Sequence, residues 1–247
     1  MTFDSLLPIV LMILFLSTLT RSTLGFGDAL VSMPLLGLIL EDVKTAAALT
    51  AMVSTTTSVG ILAKHWQSVD IRAVSMLVLG AYAGVPLGVY LLIEIDPSPV
   101  KAVLALVIIS FCIYRIFQPQ GLALNSDRAA CLFGFSAGVL GGAFNTHGPS
   151  LVIYGALRNW SAERFRATLQ GYFLFVCPIV LGFHYQKGLW TRQVVVYYLA
   201  SLPIIFLSLY LGNKLHRRLH GRNFTSIVHW LLIVVGIALL AQVIWEN

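Results

Sequence analysis

The sequence predicts an all-α, polytopic helical membrane protein built from two inverted repeats, each a broken or hairpin segment followed by three transmembrane helices. Three observations carry this. Of the 247 residues, 58% are apolar and only 11% charged, against roughly a quarter charged in ordinary soluble domains. Apolar stretches of about 20 residues, the length of one bilayer crossing, recur from end to end. These runs are continuous rather than alternating, which selects helices over a transmembrane barrel. The longest polar interval, Gln118 to Arg128, is no more than a connecting loop and leaves no room for a soluble catalytic domain.

Polar breaks divide the chain into apolar segments at 6–40, 45–63, 71–93, 100–117, 129–157, 166–183, 193–212 and 224–244. Six have the length of one crossing. The first and fifth do not: 35 residues of straight helix would run roughly 50 Å, well beyond a hydrocarbon core of roughly 30 Å. Each must bend, and the bends are written as Leu24-Gly25-Phe26-Gly27-Asp28 and as the stretch from Gly141 to Pro149, Gly-Gly-Ala-Phe-Asn-Thr-His-Gly-Pro.

One long broken segment followed by three ordinary ones occurs twice. The chain therefore reads as a first repeat over 1–117, a connecting loop over 118–128 and a second repeat over 129–247, all in one membrane domain. Gly27 and Pro34 recur as Gly142 and Pro149, His65-Trp66-Gln67 as His184-Tyr185-Gln186, and Pro86 as Pro203. Charge decides how the halves are related. If each broken segment returns to the side it left, eleven basic residues share one face (Lys64, Arg72, Arg115, Arg128, Arg158, Arg164, Arg166, Lys214, Arg217, Arg218, Arg222) and four the other (Lys44, Lys101, Lys187, Arg192), with Arg21 left inside the first hairpin. If each crosses once, the split is nine to six. The positive-inside rule selects the first, inverted arrangement, with both termini outside the cytoplasmic membrane.

The net charge of +6 does not mark a nucleic-acid partner, because the basic residues sit between apolar runs as loop anchors. Cys112, Cys131 and Cys177 stand singly with no CxxC spacing, so neither a disulfide frame nor a zinc site is expected. No cofactor is expected either. The start, MTFD, lacks a positive n-region, so the first run reads as a membrane segment and not as a cleaved signal.

Interrupted helices in corresponding places of two repeats point to a transporter site near the membrane midplane. Helices restarting after Gly27 and Pro149 would aim unpaired N–H groups and a positive dipole end at a cavity, a geometry suited to anions. Gly25 and Gly27 shape the first break and Ser32 follows it; the second break carries Asn145, Thr146, His147 and Ser150. The next helix adds Ser54-Thr55-Thr56-Thr57-Ser58, of which Thr55 and Thr56 are candidate ligands, and Gln170 is a further intramembrane polar group. Each hydroxyl has an alternative role in helix packing or back-bonding. Of the ionisable residues only Arg21, Asp28 and His147 are expected at depth, where such groups are costly and by default functional. Arg21 either binds the anion through its planar fork, pairs with Asp28 across the turn, or snorkels to an interface. His147 is either a substrate ligand or proton carrier, or a neutral group satisfying the broken backbone.

The stretches GFGDALVSMPLLGLI, AAALTAMVSTTTSVG, HWQSVDIR, GAYAGVPLGVYL and GVLGGAFNTHGPSLVIY together resemble the TauE/SafE family of sulfite exporters and related permeases, over nearly the whole chain. The resemblance implies movement of small, often sulfur-containing anions such as sulfite or organosulfonates across a cytoplasmic membrane. The expected partners are thus a small anion and the lipid bilayer, with a homo-oligomer left open. Export needs no separate pump, since a potential negative inside favours anion exit by about 2.3 kcal/mol per charge per 100 mV; no GxxxxGK[ST] pattern is present. An intramembrane enzyme using Asn145, Thr146 and His147, or a non-transporting membrane subunit, are the alternatives.

Overall fold

The computed structural model describes residues 3–40, 42–62, 69–96, 99, 102–107, 109–110, 113, 124, 128–218 and 237. Among them eight helices are bounded: α1 (Phe3–Leu24), α2 (Asp28–Leu40), α3 (Val43–Leu62), α4 (Ile71–Glu94), α5 (Arg128–Phe144), α6 (Gly148–Leu157), α7 (Ala162–Gln186) and α8 (Arg192–Arg218). No strand occurs among the described residues. Five of these helices, α1, α3, α4, α7 and α8, are long and apolar enough to cross a membrane; α2, α5 and α6 are shorter apolar helices. All of 224–244 but residue 237, half of 100–117, most of the linker 118–128, and Lys64 to Gln67 lie outside the described residues, as do Cys112, Arg115 and Arg222.

Both long segments break where glycine or asparagine must take a left-handed backbone. Gly25 (φ +89°) and Gly27 (φ +98°) separate α1 from α2, a conformation that costs a residue with Cβ about 1–2 kcal/mol. At the second break Asn145 has φ +52°, and Thr146 N–H donates back to Leu140 O at 3.2 Å, closing α5 with one of the few non-glycine residues that tolerates this region. Pro149 sits in the first turn of α6, where its missing N–H is no loss. At about 1.5 Å per residue, the 13 residues of α2 and the 10 of α6 reach only roughly 20 and 15 Å, so neither crosses alone.

The tightest packing joins α4 to α5 and α1 to α8. A Cβ on Gly80, Gly84 or Gly88 would land on the carbonyl oxygens of Cys131, Phe135 or Val139, and one on Gly134 or Gly142 on those of Leu77 or Val85. Glycines four apart on both helices thus let backbones touch, as small residues do between membrane helices. Across α1 and α8, Ser22 Oγ donates to Ser208 O and Ser208 Oγ to Phe15 O, and a Cβ on Gly212 would strike Ser22. Exposed Leu79, Tyr82, Leu132, Phe175, Phe206 and Tyr210 form an apolar outer surface.

Helix starts in the second half follow those of the first by a near-constant offset: Asp28 to Gly148 is 120 residues, Val43 to Ala162 is 119, and Ile71 to Arg192 is 121. The packed pairs exchange with the halves as well, α4–α5 with α8–α1, and α3–α8 with α7–α4. The residue matches of Gly27 with Gly142 and Pro34 with Pro149 do not survive this register. Gly142 lies inside α5 and Pro34 inside α2, whereas Gly27 is in a break and Pro149 opens α6.

One end of the bundle is fixed by polar contacts. Arg164, in the first turn of α7, reaches the Asp70 carboxylate at 2.6 Å, and Asp70 also caps α4 by accepting from Ala73 N. Arg166 Nη2 donates to Asn213 Oδ1 near the end of α8 at 3.1 Å. At this end α3 finishes and α7 begins, while α4 begins and α8 finishes. Lys44 Nζ donates to Ile93 O at 3.0 Å at the opposite end.

Candidate functional site

The two breaks meet in a buried polar centre. Arg21, on the last turn of α1, is 1% exposed. Its Nη1 pairs with Asp28 Oδ2 at 2.5 Å, and Nη2 donates to Ser58 Oγ at 2.5 Å and to Gln170 Oε1 at 3.4 Å. The guanidinium carbon lies 4.1 Å from the centre of the Phe173 ring, a cation–π contact. Of the three readings open for Arg21, pairing with Asp28 across the turn is thus present in this state, and snorkelling is not.

Asp28 opens α2 with its carboxylate in the first turn, where the dipole favours an anion. The same Oδ2 accepts from Ser54 Oγ on α3, and Ser54 Oγ in turn accepts from Asn145 Nδ2 at 2.7 Å. A continuous chain, Arg21–Asp28–Ser54–Asn145, therefore ties the first break to the second. Gln170 closes the other side: its Nε2 donates to Gly25 O at 2.6 Å, holding the first break against α7. Gln170 and Phe173 stand near the middle of α7, which puts the centre at mid-depth of that helix.

His147 contributes from the second break. It does not cap α6 with its side chain; the ring folds back so that Nδ1 lies 3.0 Å from Ala137 O and 3.3 Å from Tyr172 Oη. Its ring also meets Phe173 edge-on at 5.6 Å between centres, so Arg21 and His147 flank one aromatic side chain. A Cβ on Gly141 would sit inside the imidazole, so glycine there is what admits the ring. Three buried atoms around this centre have no hydrogen-bond partner among the described residues: Arg21 Nε, Asn145 Oδ1 and His147 Nε2.

The other sequence-selected residues lie further out. Ser32 bonds to Asp28 O and to Thr50 Oγ1. Thr55 and Thr56 back-bond to Ala51 O and Met52 O, and Thr56 also meets Tyr198 Oη at 2.8 Å. Thr146 Oγ1 returns to Phe144 O, and Ser150 receives Ser136 Oγ at 3.0 Å. Gly27 shapes the turn, and a Cβ there would meet Thr20 Cγ2 at 3.4 Å. Of the hydroxyl run it is Ser54 and Ser58, four residues apart on one face of α3, that reach the charged pair.

Beyond Arg21, Asp28 and His147, two more basic side chains are buried inside the bundle. Arg166 is 4% and His184 0% exposed. The apolar run in the sequence begins only at Arg166, but Ser161 caps α7 by accepting from Arg164 N, so the helix starts earlier and carries Arg166 inside. His184 Nε2 lies 3.4 Å from Gly142 O. Among the described residues no group of three His, Cys, Asp or Glu could hold a metal ion, and Cys131 and Cys177 are free.

An all-helical membrane protein with two interrupted helices meeting at a buried arginine, and with small hydroxyl and amide donors from neighbouring helices, is the class these features define. The family model described as sulfite exporter TauE/SafE matches residues 9–239, and the chain belongs to that family. It is similar to a protein of Cupriavidus necator named "Probable sulfite/organosulfonate exporter TauE", 25% identical over 233 residues that cover 92% of this chain and 91% of that protein. No solved structure matches.

Proposed function

We propose that the chain is a secondary transporter that exports a small sulfur-containing oxyanion, sulfite or an organosulfonate, by alternating access around its two helix breaks. The observation that carries this reading is the chain Arg21–Asp28–Ser54–Asn145, which joins both breaks in a buried centre that keeps three polar atoms unpartnered. A rigid structural centre has no need of such atoms, because each costs on the order of 1–3 kcal/mol. A ligand oxygen placed on the Nε–Nη2 edge supplies what Arg21 Nε lacks.

In this mechanism Asp28 is a tethered stand-in for the substrate. The entering oxyanion takes the Arg21 fork from Asp28 and accepts from Ser54, Ser58 and Asn145. One charge-assisted bond replaces another, so the exchange is close to balanced, as turnover requires. Because Asp28 belongs to the first break and Asn145 to the second, releasing Ser54 from Asp28 uncouples the breaks and allows one repeat to rock against the other. When the anion leaves, Asp28 returns to Arg21. The repeats over 1–117 and 129–247 are the moving bodies in this scheme. The register of the helix starts and the opposite senses of α3 and α7, and of α4 and α8, support their inverted relation. The basic end with Arg164, Arg166 and Lys214 is then the cytoplasmic side, from which a potential negative inside drives the anion out.

Efflux of labelled sulfite or methanesulfonate from proteoliposomes tests the reading. Wild type should release the anion faster when the loaded side is negative, and Arg21→Gln should release it at least about a hundredfold more slowly, as expected for loss of the charged member of a charge-assisted pair. Wild-type vesicles no faster than empty ones, or Arg21→Gln equal to wild type, would overturn it.

A further inference from the structure

Arg166 has a guanidinium buried between three helices. Nη2 donates to Ser22 O on α1 at 2.7 Å and to Asn213 Oδ1 on α8 at 3.1 Å; among the described residues Nε and Nη1 have no partner. Among the described residues no carboxylate lies within ion-pair distance of it, in contrast to Arg21 with Asp28 and Arg164 with Asp70. A buried charge is normally retained with its counter-charge, and an oxyanion at either the Nε–H or the Nη1–H would supply it while accepting a charge-assisted hydrogen bond.

Its position gives this site a place in the path. Arg166 precedes Gln170 by one turn on the same face of α7, about 6 Å nearer the basic end, and Gln170 contacts both Arg21 and Gly25. Gly25, with φ +89°, lies against the Arg166 stem, where a Cβ would come within 2.8 Å of Cγ. Toward the end of the bundle stand exposed Arg164 and Lys214, whose field draws anions inward.

We propose that Arg166 is a second anion site, a station at which the oxyanion is held between the basic end and the centre at Arg21. This rests on the anion-transport reading above. The shared chemistry of a free sulfite and of a lipid phosphate is a small oxyanion, and the test separates the two sources.

The test is equilibrium binding of radiolabelled sulfite to purified protein, first in detergent and then with added phosphatidylglycerol. Wild type should bind two anions per chain, and Arg166→Gln and Arg21→Gln one each. The site left in Arg166→Gln should keep its wild-type affinity, which a merely structural role would not leave untouched. Arg166→Lys, which keeps the charge but loses the planar array of fixed N–H donors, should retain two sites, the second weakened about tenfold; it carries the test if Arg166→Gln does not fold. A single site in wild type that Arg166→Gln leaves unchanged would overturn the second site alone. Loss of one site whenever phosphatidylglycerol is present would assign Arg166 to a lipid headgroup and also overturn it. If wild type binds neither sulfite nor methanesulfonate, the anion reading itself fails and takes this site with it.

Discussion

Replacing Asp28 with Asn tests the stand-in role most sharply. The substitution is isosteric and keeps an oxygen that can accept from Ser54, so the loss is confined to the charge facing Arg21. At an effective dielectric of about 20 and roughly 4 Å between charge centres, the pair is worth about 4 kcal/mol. Removing one partner of a buried ion pair generally costs about 3–5 kcal/mol, because Arg21 is left with Ser58, Gln170 and the Phe173 ring but no anion. For a chain of this size that corresponds to a fall in Tm on the order of 10 °C. Sulfite should restore much of it. Since the anion no longer has to displace a carboxylate, recovering even a third of the pair energy tightens binding about tenfold. Thermal unfolding of purified wild type and Asp28→Asn, with sulfite, methanesulfonate and chloride, reads both effects. If Asp28→Asn is as stable as wild type, or gains no more from sulfite than wild type does, Asp28 is not holding the place of the substrate.

Gly84→Ala should lower stability by about 1–3 kcal/mol through forced separation of α4 and α5, while Gly37→Ala, with nothing within 4 Å of its Cβ position, should be neutral or stabilising by up to about 1 kcal/mol; chemical unfolding of the two variants compares them. Gly25→Ala combines a positive φ with a close approach to Arg166 and should cost about 1–2 kcal/mol or more and slow efflux. Burial of Asp70 works to raise its pKa, but the hydrogen bond from Ala73 N and the Arg164 guanidinium outweigh it and hold it below the usual value. A depressed folded pKa gives stability that is complete above the unfolded value of about 3.9 and lost as pH falls through the folded one. Asp70→Asn should therefore melt below wild type at pH 7, by about 0.5 kcal/mol for a pair whose arginine is half exposed, and converge with it in acid. Single cysteines at positions 96 and 159 should react with an impermeant reagent from opposite faces; labelling from the same face would remove the inverted arrangement.

The helix breaks were legible because the residues that end a helix are few: Gly25 and Gly27 can take positive φ freely, and Asn145 is among the side chains that follow them. The pairing inside the centre was not. Arg21 offered three outcomes to a reader of sequence, and only the turn that brings Asp28 back one residue past Gly27 selects one. Of five consecutive hydroxyls, helical phase puts Ser54 and Ser58 on the inner face, yet the sequence does not say which phase faces Arg21. The spacing of Gly80, Gly84 and Gly88, matched by Gly134, Gly138 and Gly142, was a signal for close helix contact that needs no structure to see. Gly141 gives no such sign, because the ring it accommodates, His147, reaches it only after the chain has turned. Hydropathy places Arg166 at the edge of a loop because it marks where apolar runs begin, whereas Ser161 decides where α7 begins.

Whether an anion takes the place of Asp28 on Arg21 is answered most directly with selenite, the heavier congener of sulfite, whose selenium scatters anomalously. Crystals of wild type grown with selenite should show an anomalous peak within about 4 Å of the Arg21 guanidinium, beside Ser54 and Asn145, with the Asp28 carboxylate moved off Arg21. An intact Arg21–Asp28 pair, with selenium at other positions only, would contradict the mechanism.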